Sequence, residues 1–289
     1  MSDHGVAVPA PGRRKKWRLS AVINVILCSL VAAGAIFPLL WLLDFSLAKS
    51  NELFSSKVLI WPSPPQWHNY VLALTDGNVP QYLVNSLLIT TVSVGLVAVL
   101  GVMMSYAFIR MRWRLSRVFL NLVLLGIMIP IHATLLPNFL TFHSIGITDS
   151  PLALIIPYVA FGLPQATFIM SGFMASIPEA VEESALIDGC GIFRIVYQVV
   201  FPLMKPAIIT VIITSYISIW NEFIMAATFL TSDTFRTLPF SVYNFAGMYR
   251  SNYAAQFAVM VLAALPSLIV YIILNKHITK GIVAGAVKG

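Results

Sequence analysis

Charge is what this sequence has least of. Lysine and arginine number 18 and aspartate and glutamate 11 in 289 residues, so charged side chains make up 10% of the chain, against roughly 25% in ordinary globular domains. A water-soluble fold of this length must cover its surface with water-compatible groups, and these are too few. Disorder is excluded by the same figures, since it needs high charge and low hydrophobicity, whereas 58% of the residues are apolar. Cysteine is almost missing: Cys28 lies in an apolar run and Cys190 in a loop, which suggests two reduced thiols rather than a disulfide or a metal site. There is no G-x-x-x-x-G-K-[ST] phosphate loop and no H-E-x-x-H zinc motif, so neither nucleotide hydrolysis nor metal-dependent catalysis is expected of this chain. Low-complexity tracts and visible internal repeats are lacking too. What remains is a polytopic membrane protein.

What is present is apolar length. A hydrocarbon core about 30 Å thick needs about 20 helical residues at 1.5 Å each. Six segments qualify, at 21–43, 85–108, 118–142, 152–175, 207–230 and 253–275. The expectation is an all-α integral membrane fold with six transmembrane helices, in which a domain over 21–275 is flanked by a basic tail at 1–20 and a second tail at 276–289. The first run has no small-residue cleavage site after a short core, so it reads as a retained anchor and not a signal peptide.

The net charge of +7 reports topology rather than nucleic-acid binding. Basic residues flank the apolar runs, as in Arg13-Arg14-Lys15-Lys16 and Arg110, Arg112, Arg114 and Arg117, and are interleaved with Trp17, Trp113 and Leu115. Fourteen lie on the side of both tails and four on the other, which puts both termini in the cytoplasm. The long outer connection, 44–84, carries Trp61-Pro62-Ser63-Pro64-Pro65-Gln66-Trp67 and suits a stiff segment at the membrane interface. The outer connection 231–252 contains Tyr243, Tyr249 and Arg250.

Proline marks irregularity inside the spans: Pro130 and Pro137 beside His132, Pro157 and Pro164 around Gly162, and Pro266. Each removes a backbone hydrogen bond and kinks its helix. Kinked helices suit a transport pathway, although proline is common in membrane helices in any case. His132 and His143 lack metal-ligand spacing and read as packing or interface residues. Glu222 is the acid well inside a predicted span. An ionised carboxylate there costs at least a few kcal/mol unless it faces a cavity or a partner, so with Asn221 it is a candidate for a solute contact, a gate or an interhelical hydrogen bond.

The most informative stretch is the cytoplasmic loop 176–206. Ser176 and Glu179 have capping-box spacing with Pro178 in the first turn, and Glu179, Glu182 and Glu183 suit the positive end of a helix dipole. Ile177, Ala180, Val181, Ser184 and Ala185 form a small apolar face. Gly189 then stops the helix in a left-handed conformation. A second helix sets Ile192, Ile195, Val196 and Val199 against Arg194 and Gln198, and is expected to stop near Phe201 because Pro202 follows. Small residues at Ser184 and Ala185 would admit the close approach of a partner backbone.

Glu183-Ser184-Ala185, three residues, Gly189, nine residues, then Val199-Val200-Phe201-Pro202 resembles the EAA-x3-G-x9-I-x-L-P loop of ATP-binding-cassette importer permeases. Ile187-Asp188-Gly189 and Pro202-Leu203-Met204-Lys205-Pro206 resemble the carbohydrate-importer branch. Trp220-Asn221-Glu222-Phe223 and the tail from Gly281 to Gly289 resemble its maltose-type, MalG-like permeases. Ser184, Val199 and Phe201 depart from the pattern but keep small or apolar character.

The resemblance implies a type I importer permease fold, with the loop as a coupling helix in a groove of a cytoplasmic ATPase. Glu182, Glu183, Ser184, Ala185, Asp188, Gly189 and Pro202 would then be the coupling residues, and Gly285, Ala286, Lys288 and Gly289 would reach the ATPase interface. It implies as partners a second homologous permease, two ATPase subunits carrying ATP and Mg, and an extracytoplasmic solute-binding protein. It places the complex in the cytoplasmic (inner) membrane of a prokaryote, moving a sugar, an oligosaccharide first among the candidates. No catalytic residue, metal or cofactor is expected on this chain. The competing reading is an ion-coupled secondary transporter or channel, which would need several paired intramembrane charges.

Overall fold

A computed structural model describes residues 19–54, 58–111, 113–246 and 252–286. The basic run at 13–16, Lys57, Arg112, Tyr249, Arg250, Lys288 and Gly289 lie outside the described residues. Among the described residues the chain is helical, with no strand. Four helices among these residues are long and apolar enough to cross a membrane, and two further helix pairs qualify only as broken units, giving four spans or up to six within the described residues.

The unbroken spans are α1 (Leu19–Ser46), α3 (Val79–Ile109), α6 (Leu152–Met174) and α12 (Tyr253–Ala286), with the short α2 (His68–Thr75) before α3. Helix α3 starts six residues before its expected edge at 85, and α12 carries the expected tail as helix through Ala286. Pro38, Pro157, Pro164 and Pro266 all lie inside continuous helices.

Two expected spans are not single helices. In place of one helix over 118–142, α4 (Ser116–Leu125) and α5 (Leu135–Ser144) belong to two arms that meet at 92°. Ile129 is extended at φ −87° and ψ 115°, the conformation that a following proline imposes on the residue before it. The helix expected over 207–230 stops at Trp220 and restarts after three intervening residues, as α10 (Lys205–Trp220) and α11 (Ile224–Phe229).

Two apolar cores stack along the bundle. One gathers Tyr82, Ile89, Leu154, Tyr158, Trp220, Met225 and Phe229; the other gathers Val97, Val102, Tyr106, Met170, Met174, Ile195 and Met204. Helices α3 and α6 run through both. They approach closely because glycine stands at the contact. A Cβ on Gly162 would lie 2.7 Å from Val97 Cγ2, and one on Gly101 would lie 3.0 Å from Ala166 Cβ. Small residues at such seams are how membrane helices gain van der Waals contact when lipid is as apolar as leucine. Helix α1 packs along α12 and leaves its apolar side chains exposed, as a lipid-facing helix does.

Polar anchors hold the end of the bundle opposite the loop 176–206. Asn69 donates to the carbonyls of Ser46 and Ala48, and the Asp44 carboxylate accepts from the backbone of Ile60 and Trp61. Asp149, at φ 58°, donates its backbone N–H to Phe229 O and accepts from the backbone of Thr231 and Ser232 at 2.9 Å each. The backbone N–H of Ser232 first, with that of Thr231, holds this carboxyl below its ordinary range.

Candidate functional site

The loop 176–206 folds as a helix, a glycine turn and a second helix. Helix α7 (Ala180–Ile187) ends with Asp188 and Gly189. Gly189 sits at φ +79°, and the N–H groups of Gly189 and Cys190 bond to Leu186 O and Ala185 O at 3.0 Å each. These are the carbonyls that a helix end leaves unpaired.

The expected capping box does not form. The Ser176 hydroxyl donates back to Phe173 O at 2.7 Å, and Glu179 makes no side-chain cap bond. Both partners are engaged elsewhere, Ser176 closing α6 and Glu179 turned toward Arg110, 3.7 Å away.

Nor does Pro202 end the second helix. That helix continues as α8 (Ile192–Ile195), a π-helical turn over Val196–Val200, and α9 (Phe201–Leu203), before a 76° bend into α10. A proline inside an α-helix lacks a donor and clashes with the carbonyl four residues back. The wider π turn changes that spacing just ahead of the ring, so the bend comes at Met204 instead.

The faces of α7 also differ from the pattern. Glu182 is 7% exposed and Ala185 9%; Ala185 packs in the second core instead of facing outward. Glu183, Ser184, Asp188 and Gly189 are exposed. The outward apolar groups include Val181, Leu186, Ile187, Phe193 and Tyr197, the last three 87%, 80% and 74% exposed. Ile195 and Val200 point into the core, while Ile192 from the expected apolar face is exposed.

Arg110, immediately after α3, holds this loop to the bundle. Its side chain is 8% exposed, and Nε lies 2.7 Å from Glu182 Oε1. One terminal nitrogen donates to Met174 O at 3.0 Å and also to Ile177 O. A guanidinium offers five N–H donors in a fixed fork, so one side chain ties the end of α3, the end of α6 and the first turn of α7 together. In the sequence Arg110 reads only as a topology signal, because nothing linear links it to a carboxylate 72 residues away.

The second site lies within the bundle. A cavity of about 660 Å³ is lined by Gly126, Ile129 and His132 from the first helix break, Tyr158, Gly162 and Gln165 from α6, Ser215 and Ser218 from α10, and Asn221 and Glu222 at the second break. Asn221 and Glu222 thus share one wall, and His132 belongs to the cavity rather than to packing alone. Glu222 already has partners. It accepts from the Tyr158 hydroxyl at 2.6 Å, from Met225 N at 2.8 Å and from Ala226 N at 3.3 Å. The carboxylate therefore caps the start of α11, supplying the acceptor that the helix N-terminus needs. Asn221 donates to Ile217 O at 2.8 Å and is exposed. A neighbouring cavity of about 550 Å³ shares Asn221 and Phe223, whose ring stacks on Tyr243 with centroids 4.7 Å apart. Gly285 and Ala286 lie at the end of α12.

The family described as binding-protein-dependent transport system inner membrane component matches residues 97–283. The diacetylchitobiose uptake system permease protein NgcG of Streptomyces coelicolor is 31% identical over 270 residues, covering 93% of this chain and 89% of that protein. The melibiose/raffinose/stachyose import permease protein MelC of Bacillus subtilis is 30% identical over 268 residues, covering 92% and 96%. Among solved structures, a chain of a bacterial ABC transporter involved in import of the acidic polysaccharide alginate matches with a TM-score of 0.76 at 23% identity, covering 92% of this chain and 99% of that one.

Proposed function

This chain belongs to the family of binding-protein-dependent transport system inner membrane components, and from that premise we propose that it is the permease subunit of an ATP-driven importer carrying a sugar, an oligosaccharide first, into a prokaryotic cell. The relatives named for diacetylchitobiose and for melibiose, raffinose and stachyose support that solute class. Counting each bent pair as one span makes six, and the basic-residue asymmetry puts both termini and the loop 176–206 in the cytoplasm.

The observation that carries the reading is the loop. It turns Val181, Ile187, Phe193 and Tyr197 outward beside Glu183 and Asp188, an apolar patch rimmed by acids, while the buried Arg110–Glu182 pair fixes its base. Such a face suits docking into a groove. The chain has no phosphate loop of its own, so ATP and Mg belong to two ATPase subunits that seat this loop and that of a second, homologous permease. Gly285, Ala286, Lys288 and Gly289 extend the same contact. Glu182 and Ala185 serve by holding α7, and Glu183, Ser184 and Asp188 by touching the ATPase.

The solute path is the cavity between the helix breaks. Irregular backbone at membrane depth is tolerated where it lines a cavity or is buried in protein, and both breaks border this one. Sugar hydroxyls delivered by an external binding protein would meet Asn221, Gln165, Ser215 and Ser218. Glu222 acts behind them by capping α11. Nucleotide binding that favours one of two conformations of the assembly would switch the side to which the cavity opens.

The test is recovery of the tagged chain from its native membrane in mild detergent, with mass spectrometry of its companions. An ATPase and a second permease are expected. Gly189→Val, whose β-branched side chain is strained at φ +79°, should lose the ATPase, and Gly189→Asn, a residue that tolerates this region, should keep it. Recovery of the folded chain without an ATPase under every nucleotide condition overturns the reading.

A further inference from the structure

We infer that Arg110 is the stiff link through which movement of the loop 176–206 is delivered to α3 and α6, and that Glu182 is its counterpart as a positioning residue. The inference rests on the reading of the loop as the ATPase-coupling element, and adds to it the route by which displacement leaves the loop.

The two ends of the loop are attached differently. At its first end, the Arg110 fork grips the Glu182 carboxylate and the carbonyls of Met174 and Ile177. Met174 closes α6, and its carbonyl, which also accepts from the Ile177 N–H at 3.1 Å, lies at the negative end of the helix. A cation there is favoured by the helix dipole, and the charge-assisted bonds are the strong kind. Burial at 8% and 9% side-chain exposure removes the competing water. At its other end the loop enters α10 through a π-helical turn and a 76° bend. A push along a bent, irregular helix is dissipated as bending. A push on α7 is instead shared at once with α3 and α6, which are already locked together at Gly101 and Gly162.

The moved pair reaches the cavity. Helix α6 carries Gln165 and Tyr158 to its wall, and Tyr158 holds the Glu222 carboxylate that caps α11. The fold therefore offers a continuous path of packed and hydrogen-bonded groups from Glu182 through Arg110 and α6 to the break at Asn221. Contiguity alone does not establish coupling, so the link must be tested by separating nucleotide turnover from cavity opening.

The assay uses the complete complex with its ATPase in proteoliposomes, in a Cys28→Ser and Cys190→Ser background. Ser218→Cys, on the cavity wall, is labelled from outside by a membrane-impermeant maleimide with and without ATP plus vanadate. Unmodified at Glu182, the complex should show an ATP-dependent change in labelling. Glu182→Gln keeps size and loses charge. It should keep ATP hydrolysis while the ATP-dependent labelling change falls about tenfold, within the usual range of coupling energies. Arg110→Lys, which keeps the charge and loses the fork, should behave likewise. Labelling that responds to ATP equally in all three overturns the inference. So does a parallel fall of hydrolysis, labelling response and assembled complex, which marks a purely structural pair.

Absence of any ATP response with Glu182 and Arg110 intact sinks the importer reading itself, a result distinct from either. If the variants do not assemble, spin labels decide with Arg110 and Glu182 in place. The distance from Ala180→Cys on α7 to Phe168→Cys on α6 should stay constant between nucleotide-free and ATP-bound complex, while that from Ala180→Cys to Ile217→Cys on α10 changes. The reverse overturns the inference.

Discussion

Alanine at two glycines of the same helix should shift stability in opposite directions. Gly162 and Gly172 both lie within α6, where replacing glycine by alanine gains roughly 0.5–1 kcal/mol from reduced backbone entropy alone. At Gly172 an added Cβ meets nothing within 4 Å, so that gain should appear undiminished. At Gly162 the Cβ would stand 2.7 Å from Val97 Cγ2, about 1 Å inside the normal carbon–carbon separation of about 3.5–4.0 Å. Val97 is fully buried and β-branched, with one strongly preferred rotamer in a helix, so α3 and α6 must separate. Overpacking of this kind costs about 1–3 kcal/mol, which is also the expected gap between the two variants. At about 2–4 °C per kcal/mol for chains approaching this length, Gly162→Ala should melt about 2–12 °C below Gly172→Ala in detergent-solubilised protein followed by thermal unfolding. Adding Val97→Ala to Gly162→Ala should recover part of the loss, with a coupling of about 0.5–3 kcal/mol. Equal melting of Gly162→Ala and Gly172→Ala would refute the close α3–α6 seam.

Three further outcomes follow from single contacts. Asp149→Asn keeps a residue that tolerates φ 58° but loses the charge that accepts from Thr231 and Ser232. Because the folded carboxyl lies below its ordinary value of 3.8, its contribution is present above that value and vanishes as pH falls through the folded one. Unfolding midpoints of the two proteins should therefore differ at pH 7 and converge in acid, and a gap independent of pH would rule this out. Tyr158→Phe should cost about 1.5–3 kcal/mol, the range for hydrogen bonds to charged groups, and measurably less in a Glu222→Gln background; equal costs in both backgrounds would deny the Tyr158–Glu222 bond. Asn69→Leu leaves the carbonyls of Ser46 and Ala48 without their side-chain donor and should lower stability by about 1–3 kcal/mol, read from the same thermal unfolding curves, whereas no loss would show that water replaces the amide.

Much of this was readable along the chain wherever the cause is local. Apolar length marks α1, α3, α6 and α12 because each must satisfy its own backbone in lipid. Gly189 announces its turn because a left-handed residue is cheap for glycine and costly for most others. The breaks were less legible, since proline alone does not decide them. Pro157 and Pro164 stay inside α6, while Pro130 sits at a 92° corner. The difference lies in what surrounds each. Pro157 and Pro164 are buried against neighbours, whereas the backbone around Pro130 opens onto the cavity, where an interrupted ladder is tolerated.

The loop shows the same division between local and distant causes. Its helix–glycine–helix outline is local and was legible; which carboxylate faces outward is not. Glu179, Glu182 and Glu183 look equivalent in a dipole argument. Only the arrival of Arg110 from α3 separates them, burying Glu182, drawing Glu179 to within 3.7 Å and leaving Glu183 exposed. Glu222 likewise reads as a lone intramembrane charge, yet three donors, one of them 64 residues away on α6, already satisfy it. Burying a charge is costly until partners are counted, and those partners come from helices that sequence proximity does not join. That is why the two carboxylates that most resemble ligand sites, Glu182 and Glu222, are taken up by contacts within the fold, while Glu183, Ser184 and Asp188 on the loop and Asn221, Gln165 and Ser218 on the cavity wall stay exposed.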